Sequence, residues 1–351
     1  MTAIPEGDGT VRVRALAPGE AALWDAFVLR CPAATFFHLS GWQRVVERSF
    51  GHRTHYLLAE RDGEIRGVLP LVHIKSRLFG SSLISNAFCV YGGPAAADEA
   101  ARTALDRQAV ALLAATGADC LEYRLRERLH PDWPSKDALY ATFRRAIDPD
   151  PDANLKAIPR KQRAVVRQSL TRNLVVEEDP SIDRFFPLYA ESVRNLGTPV
   201  FGKAYFQALK AEFGEHCEIL VALHEGRPVC SVMSFYFRDE VLPYYAGATP
   251  AVRELGAYDF LYWHILRNAA LREFRIFDFG RSKQGTGAFA FKKNWGFTPQ
   301  PIFHEYQLKP GTDIPDVNPL NPKYKLFIAA WKRLPLPVAN LAGPLIARDL
   351  G

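Results

Sequence analysis

Hydrophobic and polar positions change period repeatedly along the chain. Val11 to Leu16 reads as a strand, and apolar residues at helical spacing follow from Glu20 to Arg30 and from Ser40 to Phe50. His55 to Glu60 and Glu64 to Ile74 then alternate as strands do, joined at Asp62-Gly63, a strong hairpin signal. A further strand is expected to end near Tyr91-Gly92-Gly93-Pro94, before a helix from Asp98 to Thr116 and a strand from Cys120 to Leu125.

The same order recurs. A strand at Leu174 to Glu177 precedes helices near Ile182 to Leu196 and Lys203 to Phe213. Strands Glu218 to His224 and Pro228 to Phe237 then meet at Glu225-Gly226, and Gly226 follows Gly63 by 163 positions. At that offset Leu57-Leu58-Ala59 lies over Leu220-Val221-Ala222. The repeat continues with a strand ending at Tyr244-Tyr245-Ala246-Gly247, a helix from Tyr258 to Leu271, a strand from Arg275 to Phe279 and a closing strand from Ile302 to Leu308. The pattern predicts two similar α/β (α+β) domains, residues 1–150 and 151–310, divided at the Pro/Asp segment 148–152, which is read as unable to continue a helix or central strand. A Pro-rich and helical tail occupies residues 311–351. It has two readings: docking on the protein, which is preferred, or lying on a membrane surface with Lys323, Lys325, Lys332 and Arg333 near lipid phosphates.

Composition narrows this picture little. With 351 residues, 48% hydrophobic and 23% charged, the chain is ordinary for a globular protein. Its net charge of +6 favours anionic partners without naming one. Cys31, Cys89, Cys120, Cys217 and Cys230 are scattered and suggest core residues rather than disulfides or a metal site. No signal-like segment or apolar run of membrane-spanning length is visible, so a cytoplasmic location is expected.

Candidate chemistry concentrates at Phe277 to Phe297, FDFGRSKQGTGAFAFKKNWGF. An apolar strand there breaks into a glycine-rich loop carrying Arg281 and Lys283, then presents Phe291, Lys292 and Lys293. The alternative is a solvated turn followed by an amphipathic helix. Residues 156–172 hold six cations (Lys156, Arg160, Lys161, Arg163, Arg167 and Arg172) and no acid, which suits either an anion-binding face or a solvated one. Arg253-Glu254-Leu255-Gly256-Ala257-Tyr258 partly matches an R/Q-x-x-G-x-G/A pyrophosphate loop at a helix N-terminus, with Tyr258 where Gly or Ala belongs. The nine histidines show no metal-ligand spacing, no metal site is expected, and no nucleophile signature occurs.

The duplicated halves, Tyr244-Tyr245-Ala246-Gly247 and Phe291-Lys292 after Phe277-Asp278-Phe279-Gly280 resemble the FemAB/FemX aminoacyltransferases. The pattern is closest to the FemAB-like proteins associated with exosortase/PEP-CTERM and exopolysaccharide loci. The resemblance covers about residues 10 to 310. It implies tandem GNAT-like (acyl-CoA N-acyltransferase-like) domains, each with a mixed, largely antiparallel sheet, and transfer of an acyl or aminoacyl group to an amine of a cell-envelope, peptidoglycan or exopolysaccharide precursor. No tightly bound cofactor is implied; the donor is aminoacyl-tRNA or, as the lesser alternative, acyl-CoA.

By the same resemblance Lys292 stabilises the developing oxyanion. Gly41-Trp42-Gln43-Arg44 matches the family's Gly-Trp-x-Lys segment, so Trp42 and Arg44 are substrate-binding candidates with Arg44 at carrier phosphates. Tyr205 and Tyr245 align with tyrosines of the acceptor site, and Phe291, Arg281 and Lys283 complete the substrate-binding set. Arg160, Lys161, Arg163 and Arg167 are the anion-binding set, with tRNA or an anionic precursor as partner. Phe201 stands where muropeptide-binding members carry a diphosphate-gripping arginine, which argues for another acceptor. An acyl-CoA-dependent N-acyltransferase and a catalytically silent scaffold, at the inner face of the plasma membrane through the tail, are the rival readings. The oligomeric state is left open.

Overall fold

In the computed structural model the described residues are 9–76, 79–315 and 322–351, with the side chains of 322–325 also set aside. Lys323 and Lys325 of the tail therefore lie outside the described side chains. The first part of the chain runs β1 (Arg12–Ala15), α1 (Ala21–Arg30), α2 (Gly41–Phe50), β2 (Arg53–Arg61), β3 (Glu64–Ser76), β4 (Gly80–Ser85), β5 (Ala95–Ala96), α3 (Glu99–Thr116), β6 (Cys120–Leu125), β7 (Ser135–Lys136) and β8 (Tyr140–Ala146). There follow α4 (Pro151–Ala157), α5 (Arg160–Ser169), β9 (Leu174–Glu178), α6 (Phe185–Leu196), α7 (Lys203–Phe213), β10 (Cys217–His224), β11 (Arg227–Phe237), β12 (Glu240–Ala248), α8 (Val252–Leu255) and α9 (Ala257–Leu271). The last elements are β13 (Ile276–Lys283), α10 (Gly287–Asn294), β14 (Gln300–Pro301), β15 (Phe303–Leu308), α11 (Pro322–Trp331) and α12 (Leu336–Ala347).

Two compact units form, one from Met1–Lys136, Ile302–Asp316 and Asp349–Gly351, the other from Asp137–Pro301 and Val317–Arg348. In the first unit the strand order is β1-β2-β3-β4-β6-β15-β7, with β5 beside β3. Asp62 (φ 53°) and Gly63 (φ 79°) make the expected hairpin turn, both in the left-handed region that such a two-residue loop demands. The buried stripe Ala101, Leu105, Ala109 and Leu113 of α3 recurs every fourth residue and packs on the sheet. Asp98 caps this helix by accepting the Ala101 N–H at 3.0 Å. The chain after β4 differs from expectation: the strand ends at Ser85, and Tyr91 to Pro94 form a loop in which Gly92 passes too close to the Ser85 carbonyl for any side chain.

The second unit orders its strands β14-β8-β13-β12-β11-β10-β9. Apart from the short outer strands, the two orders correspond one for one, as the repeat predicts: β1-β2-β3-β4-β6-β15 against β9-β10-β11-β12-β13-β8. The correspondence contains an exchange. β15, from the late part of the chain, pairs along its whole length with β6, while β8, from the early part, pairs with β13. The Pro/Asp segment expected as a boundary lies within the second unit and starts a helix, since Pro151 occupies the first helical position, where a missing N–H costs nothing, and Asp150 caps it. Ile158-Pro159 then divides the basic run into α4 and α5.

Within the first unit His130 lies between two carboxylates. Its Nδ1 is 2.8 Å from Glu305 and its Nε2 3.0 Å from Asp106, while its ring stacks on Trp133 at 4.0 Å. Glu305, on β15, is fully buried and also accepts the Leu129 and His130 backbone N–H groups. Burial opposes the imidazolium, but the Asp106 and Glu305 hydrogen bonds outweigh it and raise His130 from 6.5 to about 9.

Two outcomes follow from this architecture. Fragments 1–148 and 149–351 each lack one strand of their own sheet, so neither alone is expected to melt cooperatively by circular dichroism, whereas coexpression restores the transition; a cooperative melt of either fragment alone would refute the exchange. For His130 the folded value exceeds the unfolded one, so its stabilisation is complete below about 6.5 and is lost as pH rises through about 9. The urea-midpoint gap between wild type and His130→Ala should therefore be wide near pH 6 and narrow by about pH 10.

Candidate active site

β12 and β13 run parallel, yet they pair only at Glu240 with Ile276 and Val241 with Phe277. Beyond that point the strands part. Against β11 the register of β12 shifts so that Tyr244 has no opposite residue, and against β8 the register of β13 shifts between Asp278 and Arg281. The second bulge is built by Gly280, at φ 64°, whose N–H is accepted by the buried Asp278 carboxylate at 2.7 Å.

This turn of the backbone brings three successive carbonyls together, and Lys292 fills the space they face. Its Nζ donates to the carbonyl oxygens of Phe279, Gly280 and Arg281 at 2.5, 3.0 and 3.1 Å. An ammonium has three protons, and all three are placed. Thr286 starts α10 by accepting the Phe289 N–H, and the helix then carries Lys292 back over the strand. The Phe143 and Phe279 rings flank the ammonium at 5.5 and 5.9 Å. Burial pushes the amine down to about 7 and the Asp278 charge opposes the shift; the carbonyl acceptors favour the charged form too. Phe291 packs beside it with Tyr262, Phe279 and Trp295, while Lys293 is exposed. Arg281 places its guanidinium over the Tyr140 ring at 5.0 Å, and the Lys283 carbonyl accepts the Thr286 hydroxyl.

Tyr205 and Tyr245 are brought together. Their hydroxyls are 2.9 Å apart, and Phe201 joins them at 5.0 Å from the Tyr205 ring. At position 201 the site thus presents an aromatic face and no cation. Burial holds the Tyr245 hydroxyl well above its usual range, so the pair acts as neutral donors and acceptors.

On α5, Arg160, Lys161 and Arg167 are exposed, whereas Arg163 turns back to the Lys156 carbonyl at 2.8 Å. This helix packs on α9; the Arg253–Tyr258 segment, read as a loop, instead forms the end of α8, the break at Gly256 and the start of α9. Gly256 takes φ 62° and lies so near Ser169 of α5 that a Cβ would stand 3.2 Å from it. Asp259, in the first turn of α9, accepts from Gln162 of α5 and from Trp295 Nε1 at 2.9 Å. One carboxylate therefore holds α5, α9 and the end of α10 together.

Residues 154–293 match the acetyltransferase (GNAT) domain. The match spans α4 to Lys293 and so contains the parted strands, the tyrosine pair and the Lys292 cradle. Among solved structures, FemX aligns with a TM-score of 0.65 at 15% identity, over 84% of this chain and 96% of that one. A tandem GNAT protein from the clavulanic acid biosynthesis pathway, solved without AcCoA, aligns with a TM-score of 0.52 at 14% identity, over 86% and 100% of the chains. A C-terminal domain from Agrobacterium fabrum assigned to a lysylphosphatidylglycerol synthetase gives 0.53 at 14% identity, over 82% and 91%. No curated protein matches the chain in sequence. The fold is tandem GNAT-like, and the match to the acetyltransferase (GNAT) domain falls in its second unit.

The corresponding place in the first unit is differently filled. β4 and β6 are also parallel and pair from Ser82 with Cys120 to Ile84 with Glu122, after which Arg124 reaches Glu122 at 2.7 Å and the Cys89 carbonyl at 3.1 Å. Despite burial, Arg124 and His304 hold the Glu122 carboxyl far below its ordinary range. Trp42 and Arg44 also belong to this unit. Trp42 is fully buried against Phe36 and Phe37 and presents no surface to a ligand, in place of the substrate contact expected of it; Arg44 is half-buried on α2, where its charge acts on the Tyr56 hydroxyl.

Asp259 was absent from the candidate residues, although an acid placed just after a Gly-containing helix start is a visible signal. Replacing it by Ala leaves the Trp295 and Gln162 donors without their acceptor and should cost about 1–3 kcal/mol in urea unfolding, with Asp259→Asn costing less because one acceptor oxygen remains. Equal losses for the two variants would contradict this role.

Proposed function

We propose that the chain is a FemAB-type N-acyltransferase or aminoacyltransferase that modifies an amine on an anionic cell-envelope or exopolysaccharide precursor, with aminoacyl-tRNA as donor. The acceptor amine attacks the donor's ester carbonyl, forming a C–N bond as the ester C–O bond breaks. The amine proton ends on the released ribose hydroxyl, and negative charge resides transiently on the carbonyl oxygen. The observation that carries this reading is the part-buried Lys292 ammonium, held by three carbonyls where β12 and β13 part. An oxyanion formed there takes one of its three N–H bonds in place of a backbone carbonyl, and the dry surroundings make that exchange worth several kcal/mol.

Phe201 and Tyr245, both part-exposed, receive the acceptor, and the buried Tyr205 hydroxyl, 2.9 Å from that of Tyr245, orients it from behind. Arg281 and Lys283 lie on the same strand as the cradle. The cations Arg160, Lys161 and Arg167, with Arg163 beside them, suit the backbone of a tRNA. Acyl-CoA is the second reading, favoured by the left-handed Gly256 at the start of α9. Asp259 counts against it, since a pyrophosphate at that helix start would meet a carboxylate already in the first turn.

The test offers the purified full chain either a labelled aminoacyl-tRNA pool or acetyl-CoA, with a cell-envelope precursor fraction as acceptor. Transfer from the tRNA pool is expected. Lys292→Met should lower kcat by roughly 100-fold or more with little change in KM. Because Lys292 also holds the Gly280 bulge, the variant's melt is recorded alongside. A folded Lys292→Met protein with full turnover, or transfer from acetyl-CoA alone, would overturn the proposal.

A further inference from the structure

α11 and α12 both rest on one stretch of the second unit. Ile328 of α11 and Lys332 just after it press against Gly197, and the Lys332 carbonyl accepts from Arg194; Gly343 and Pro344 of α12 press against Val200 and Gly202. The preferred reading of the tail, docking on the protein, is thus met by small residues: Ala339, Gly343 and Ala347 form the buried stripe of α12.

The outward face does not look like a solvated one. A helix lying on a globular unit ordinarily turns polar side chains to water. α12 instead exposes Val338, Leu341 and Leu345, the last two at 78% and 68%, and α11 exposes Leu326 at 84% with Phe327 beside it. Leu196, next to the Gly197 seat, is exposed as well. Residues 322–348 contain five cations, Lys323, Lys325, Lys332, Arg333 and Arg348, and no Asp or Glu. Lys332 and Arg333 are exposed in the short connection between the helices. Large apolar side chains facing outward with cations and no carboxylates are complementary to one kind of surface, an anionic bilayer whose headgroups meet the cations while the side chains enter the acyl boundary. Among the described residues no helix is long and apolar enough to cross a membrane.

We propose that α11 and α12 form a docking face by which the protein lies on an anionic lipid membrane, through Leu326, Leu341 and Leu345 with Lys332 and Arg333. This goes beyond the acyl-transfer reading and does not depend on it.

The experiment is flotation of the full chain with vesicles of phosphatidylcholine alone or with about one-third phosphatidylglycerol. Binding to the anionic vesicles, weakened by salt, is expected. Lys332→Gln/Arg333→Gln should weaken it by about fivefold for each charge removed. Leu326→Ser/Leu341→Ser/Leu345→Ser should abolish it without lowering the melting temperature, because these side chains support no packing. Failure to bind anionic vesicles, or binding that survives the serine variant, would overturn the proposal. So would sedimentation showing a dimer that the serine variant converts to monomer, which would make a second copy the occupant. The acyl-transfer reaction is scored on soluble donor and acceptor, so each idea can fail alone.

Discussion

The second unit is organised around a lysine that saturates a bulge. A β-strand normally sends successive carbonyls to opposite sides, where neighbouring strands take them. Once β12 and β13 separate after Val241 and Phe277, β13 loses that partner, and buried carbonyls without donors are costly. Gly280 turns the carbonyls of residues 279–281 toward one point, and Lys292 meets them there. The parting of the strands, the glycine and the lysine are therefore one device: without Gly280 the carbonyls do not converge, and without Lys292 their convergence has no compensation. A part-buried cation held by neutral dipoles, with Asp278 the opposite charge that acts on it, retains the capacity to move toward a stronger acceptor.

Duplication supplied the frame, and the exchange of β8 and β15 constrains it. Each sheet is completed by a strand from the other half of the sequence, so neither half can satisfy its edge backbone alone. The two copies then diverge where their parallel strands part. In the first unit Arg124, Glu122 and His304 neutralise and bond one another in the interior. In the second, a single cation is surrounded by carbonyls and rings. The GNAT match to residues 154–293 falls on the unit with the single cation.

Most elements were legible because their signals are local. The Asp62-Gly63 and Glu225-Gly226 turns, the stripe of α3 and the run from Cys120 to Leu125 each carry their own periodicity. β8 was not legible, since Tyr140 to Ala146 has no bounded alternation, and its partner β13 lies more than a hundred residues away. The destination of β15 was invisible for the same reason: its strand character is local, but its choice of β6 is not. At the site, Phe291-Lys292 stood out by its pattern, yet nothing in that pattern shows that the Nζ protons are already taken by carbonyls. Trp42 shows the opposite error, in which a motif position proves to be core. His130 and Glu305 could not be paired from sequence, being 175 residues apart.

Asp259 and the Gly256 loop narrow the donor question by electrostatics alone. A helix start attracts phosphate because its first amides lack partners and its dipole is positive there. Asp259 places a carboxyl in that first turn, where burial raises its pKa, and the Trp295 and Gln162 donors fix it in place. A second anion must then either displace a bonded, buried carboxylate or share the turn with it. Among the described residues no carboxylate pairs with the exposed Arg160, Lys161 or Arg167 of α5, so an extended polyanion is better matched to that helix than a compact pyrophosphate is to the start of α9. The proposed preference for a charged tRNA over coenzyme A rests on this contrast between a helix terminus that already holds a carboxyl and a helix face of exposed cations.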